Sequence, residues 1–152
     1  MPLTNFPNGV AGGTPVSITA STLTATPDDN GERVNVLNRA AGIAVTLPAS
    51  LGTGVSYKFL VGTTVTSNST TIKVANSTDV MTGLALSAAD GGASVNGWET
   101  ASDTDTITFD GSTTGGIKGD MVVLTSVASG LWYVSIVSSS TGTEATPFSA
   151  TV

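Results

Sequence analysis

Apolar side chains recur at every second position in short runs along the chain, and Gly, Asn, Asp and Pro break the runs apart. That period places alternate residues on opposite faces of a pleated strand. It predicts strands over 33–38, 43–47, 56–61, 70–75, 80–86, 104–109, 120–127 and 131–137. The last two read as a hairpin, M-V-V-L-T-S-V-A-S-G-L-W-Y-V-S-I-V, with Ala128-Ser129-Gly130 as its turn. Gly130 supplies the positive φ that such turns need. Trp132, Val134 and Ile136 fall on one face of the return strand, and Tyr133 and Ser135 on the other. No window carries a long i, i+3, i+4 apolar stripe with caps, so long helices are not expected. Eight short strands with frequent turns predict an all-β fold, an antiparallel β-sandwich or barrel of jelly-roll type. Pro2, Pro7, Pro15, Pro27, Pro48 and Pro147 all lie outside these strands, as ladder pairing requires.

Three regions follow. Residues 1–27, rich in Pro, Gly and Thr, read as an extended N-terminal arm; 28–138 form the β-domain; 139–152 form a short C-terminal tail. No repeat at a fixed period appears, which argues against a solenoid or propeller. The arm opens M-P-L-T-N-F-P-N-G-V, with Leu3, Phe6, Pro7 and Val10 beside glycines and prolines. Such a segment has no room to pack on itself, so it either frays or docks on something.

Composition narrows the chemistry. The 152 residues include no Cys and no His, which excludes disulfides, Cys- or His-ligated metals and a Ser-His-Asp triad. Five basic residues face 11 acidic ones, for a net charge of −6. Arg33, Arg39, Lys58, Lys73 and Lys118 are scattered along the chain, so neither nucleic acid nor an anionic membrane surface is an expected partner. No stretch is long and apolar enough to span a bilayer, and the opening lacks the basic-then-apolar pattern of a secretory leader. Water-facing positions are filled by hydroxyls instead, since 26 Thr and 18 Ser make up 44 of the 152 residues. Thr is β-branched and suits the solvent side of a sheet.

Candidate chemistry is sparse. In D-T-D-T-I-T-F-D-G, Asp103 and Asp105 are two apart, and with Asp110 they could bind calcium or cleave a glycoside. The plainer reading is a turn followed by a strand edge, and no calcium-loop motif accompanies them. Residues 111–120, G-S-T-T-G-G-I-K-G-D, have the four-residue gap of a phosphate loop, but Ile117 precedes Lys118 and a strand follows where a helix is needed. A glycine-rich link between strands accounts for them. Trp98, among Gly91, Gly92 and Gly97, is either an exposed stacking residue or a core plug. A lysine base is conceivable at Lys58 or Lys73, yet both fall on predicted strands among apolar residues. No enzymatic role, cofactor or metal is expected.

The opening T-N-F-P-N-G-V (4–10) resembles the start of many structural proteins of tailed bacteriophages, particularly marine and cyanobacterial phages, and the segments N-R-A-A-G-I-A-V-T-L-P-A-S (38–50), Y-K-F-L-V-G-T-T-V-T-S-N (57–68) and T-T-G-G-I-K-G-D-M-V-V-L-T-S-V-A-S-G-L-W-Y-V-S (113–135) resemble phage head decoration, or capsid cement, proteins. The resemblance implies a compact β-protein on the outer surface of the virion, commonly a homotrimer, that clamps neighbouring copies of the major capsid protein. It supplies no catalytic residues. It gives the arm a task, burying Leu3, Phe6 and Val10 against capsid protein or a trimer neighbour, with its own domain as the simpler acceptor. A phage fibre component or a carbohydrate-binding module using Trp98, Trp132 and Tyr133 is the alternative.

Overall fold

The computed structural model describes residues 13–152. The chain first winds back and forth between two sheets. Strand β1 (Val16–Ile18) lies in one sheet and β2 (Thr22–Thr24) in the other. A single helical turn, α1 (Pro27–Asn30), leads to β3 (Val34–Leu37) beside β1, then β4 (Ala44–Thr46) beside β2. Next come β5 (Ser56–Val61) beside β3 and β6 (Thr70–Lys73) beside β4. Each strand enters from the same side as the one a full turn earlier, so all four of these contacts are parallel.

The second half closes the sheets with hairpins. Strands β7 (Val80–Ala89) and β8 (Ser94–Glu99) pair antiparallel, and β9 (Thr106–Phe109) returns to the second sheet beside β6. The hairpin of β10 (Met121–Ala128) and β11 (Leu131–Ser140) inserts between β5 and β7, antiparallel to β5 and parallel to β7. Finally β12 (Phe148–Ser149) pairs with β9. The result is a β-sandwich of a seven-stranded sheet, β1-β3-β5-β10-β11-β7-β8, and a five-stranded sheet, β12-β9-β6-β4-β2. Neither closes into a barrel among the described residues.

Pairing is mixed where the sequence predicts antiparallel strands throughout. The reason is the alternating path of the first six strands, which no local pattern encodes. Two short strands also lie inside the segment read as an arm, V-S-I and T-L-T, anchored on the core by Val16 and Ile18 in the first and Leu23 in the second. Three residues are too few for an alternation to register. At the other end, β11 runs three residues past its predicted stop, and β12 lies in the segment read as a tail.

The inner faces meet in one core. Tyr57, Phe59, Phe109, Val122, Leu124, Trp132, Val134 and Ile136 are all essentially inaccessible. Burial of such a side chain is worth about 1.5–3 kcal/mol. The Tyr57 and Trp132 rings meet edge to face at 5.7 Å between centroids. Near them Thr26 caps α1 by accepting from the Asp29 amide at 3.2 Å, with Pro27 in the first turn. Buried Asn30 donates from Nδ2 to Asn35 Oδ1 at 2.7 Å, and Asn35 Nδ2 donates to the Asn30 carbonyl at 3.0 Å. That pair fixes the helical turn to β3.

Candidate binding surface

The outer face of the seven-stranded sheet is built by the residues between the core positions. Register aligns Val36, Leu60, Met121, Val137 and Leu86 side by side on β3, β5, β10, β11 and β7. With strands about 4.8 Å apart, this apolar row runs roughly 19 Å across the sheet. One step along the strands lie Val34, Lys58, Val123, Ser135, Leu84 and Glu99. Lys58 and Glu99 are the only charged side chains at the paired positions of this face. Exposure peaks at the β11–β7–β8 end: Leu84 is 51% exposed, Leu86 49%, Val95 67%, Val137 63% and Tyr133 47%. Those five side chains present on the order of 500 Å² of mostly apolar surface, in the range of the largest apolar patch on a typical monomer, which is often functional. Gly97 lies opposite Leu86 on β8.

The carboxylates go elsewhere. Asp103 is exposed in a turn, whereas Asp105 is buried and points inward. The strand predicted over 104–109 begins at Thr106, so Asp103 and Asp105 both precede it and do not share a strand face. Asp105 accepts from the Thr106 hydroxyl at 2.7 Å and from the amides of Thr151 at 2.7 Å and Val152 at 3.1 Å. Burial pushes its carboxyl up, but these bonds and the Lys73 charge outweigh it and hold it below the ordinary carboxylate range. Asp110 caps its own turn through Ser112, Thr113 and Thr114. Among the described residues no group of three or more acidic side chains is placed to hold a metal ion.

The glycine-rich segment after β9 has its amides already in use. Buried Asp120 accepts from the amides of Gly116 at 2.8 Å, Ile117 at 2.9 Å and, on neighbouring β11, Ser139 at 2.8 Å. Desolvation dominates and raises the Asp120 carboxyl despite those bonds. A loop whose donors already hold an internal carboxylate has no cradle for a phosphate. Trp98 sits on β8 and packs against the core from the sheet edge. The stretch around it, where the sequence predicts no strand, is a hairpin strand whose alternation is diluted by Gly97 and Asn96. Lys58 and Lys73 lie on β5 and β6. The docking residues Leu3, Phe6, Pro7 and Val10 fall outside the described residues. No helix among the described residues is long and apolar enough to cross a membrane.

The outer face was legible in part. V-N-V-L, F-L-V, M-V-V-L and L-A-L put apolar residues on both sides of their strands, the pattern of strands covered on both faces. Comparison of the chain with protein-family models, curated proteins and solved structures finds no match.

Proposed function

We propose that this chain is a structural decoration protein of a phage head, a homotrimer that binds the outer capsid surface and stabilises the lattice of major capsid protein. The observation that carries the reading is the uncharged row Val36–Leu60–Met121–Val137–Leu86, a second apolar face on a sheet whose first face already fills the core. The segments quoted above that resemble capsid cement proteins supply the identity of the surface it meets. Burying the roughly 500 Å² of mostly apolar surface that Leu84, Leu86, Val95, Tyr133 and Val137 present at the β11–β7–β8 end of that face yields on the order of 12 kcal/mol before costs. Association itself costs about 4–15 kcal/mol, so one face alone holds weakly. Three linked copies on a repeating lattice hold by avidity, with no need for charged contacts.

The test is the copy number of the chain relative to major capsid protein in purified virions, by quantitative mass spectrometry. A ratio near one to one supports a lattice-wide decoration protein. A handful of copies favours a fibre or vertex component, and absence from the particle rejects both.

A further inference from the structure

Four strands end the two sheets, β1 and β8 in one and β12 and β2 in the other. Among the described residues β1 and β2 are three residues long and β12 two, whereas β8 has six. A short edge offers few groups for another strand to pair with, and a long one is usually blunted by Lys, Pro or a bulge. Strand β8, S-V-N-G-W-E, has no Lys and no Pro, and its register with β7 runs unbroken from Ser94 to Glu99. It is an edge left ready to pair.

The free groups follow from the ladder. The Thr100 amide donates to the Gly83 carbonyl at 3.2 Å, so these two form a hydrogen-bonded pair just beyond the β7–β8 register. Such pairs recur at every second residue. Ala85 with Trp98 and Ser87 with Asn96 are therefore bonded pairs, and Val95, Gly97 and Glu99 turn their N–H and C=O groups away from β7. Those groups have no partner among the described residues. All three residues are exposed, and Gly97, which has no side chain, is exposed through its main chain alone.

The edge is complementary to a second copy of itself. Antiparallel pairing about a two-fold axis at Gly97 sets Gly97 against Gly97 and Val95 against Glu99 in both directions. This register alone uses all three outward-facing residues of each strand. The two Glu99 residues then lie four positions apart along the ladder, roughly 14 Å. That exceeds the screening length of about 8 Å at physiological salt, so the like charges do not oppose pairing. The axis stands perpendicular to the sheet, so both outer faces turn the same way. The exposed Leu84, Leu86, Val95, Tyr133 and Val137 of the two copies then form one continuous apolar surface. We propose that β8 is a self-pairing edge that joins two copies of this chain into one continuous sheet. The contact is two-fold, so it is separate from the three-fold contact of the proposed trimer, and it does not depend on what the outer face meets.

The test uses the isolated full-length chain, which has no cysteine, so a single introduced one reports on the pairing. Hydrogen-bonded antiparallel partners have Cα atoms about 5.5 Å apart, within the roughly 4.4–6.8 Å span of a disulfide. A Cβ at Gly97 meets only Leu86 Cδ2 at 3.4 Å and the Ala85 carbonyl oxygen at 3.9 Å, so the site accepts the side chain. Under mild oxidation Gly97→Cys is expected to form disulfide dimers several-fold faster than Val95→Cys. Val95 is itself 67% exposed, so random collision would link it as readily. Gly97→Pro removes an N–H that β7 does not use, and it is expected to halve the parent's molar mass in sedimentation equilibrium at high concentration. Equal cross-linking of the two cysteine variants, or a parent no heavier than a folded Gly97→Pro, overturns the proposal. An edge that pairs only with a segment of another protein gives that second result. If Gly97→Pro does not fold, the cysteine pair decides alone.

Discussion

Replacing Asp105 by Ala removes three hydrogen bonds from one buried carboxylate, to the Thr106 hydroxyl and the Thr151 and Val152 amides. Bonds to a charged group are worth about 1.5–3 kcal/mol each. Thr151 and Val152 are exposed, so their amides can turn to water and their share is discounted. The sum is then about 2–3 kcal/mol. In a chain of this size each kcal/mol moves Tm by roughly 2–4 °C, so the loss is about 5–10 °C at neutral pH. The carboxyl is held below its ordinary range in the folded state, so its contribution is present above the unfolded value of about 3.9 and fades as pH falls through the lower folded value. The assay is thermal unfolding of Asp105→Ala and the parent at neutral pH and again at the most acidic pH where both fold. Amide exchange at β9 and β12 serves as a local readout. A gap that narrows in acid supports the reasoning. No loss at neutral pH, or the same gap at both, refutes it.

Other perturbations test the frame. Gly83 has φ +152° in the middle of β7, and an added Cβ would run into the Val134 carbonyl, so Gly83→Ala should cost several times the effect of an ordinary surface change; an unfolding midpoint equal to the parent's contradicts the β7–β11 packing. Asn35→Ala strands the Asn30 side chain and should cost about 1–3 kcal/mol in urea unfolding. Asp120→Asn removes a buried charge whose folded pKa is raised, so the parent should gain on the variant as pH falls through that raised value, the reverse of Asp105.

The strands of the central sheet were readable because their signal is local. Ser56–Val61 matches the predicted bounds, and Trp132, Val134 and Ile136 alternate with Tyr133 and Ser135 as foreseen. What escaped depends on distance along the chain. Parallel pairing of Val34–Leu37 with Val16–Ile18 follows from a crossover through the other sheet, and the winding intervals are too irregular to register as a repeat. Asp103 and Asp105 looked paired by spacing alone, but the turn before Thr106 separates them. The outer apolar row needs register across five strands, and the open β8 edge needs the strand order of the whole sheet. Neither is a property of any one window.

The most direct test of the proposed decoration role is co-sedimentation of the chain with heads of the phage that the proposal requires, assembled without it, comparing the parent with a Leu86→Lys, Val137→Lys double variant. Both side chains are about half exposed or more, so the variant should unfold at the parent's temperature. The account predicts that the parent saturates the heads near the copy number of capsid protein and that the double variant stays in the supernatant. Equal binding of the two, with both folded, would contradict it.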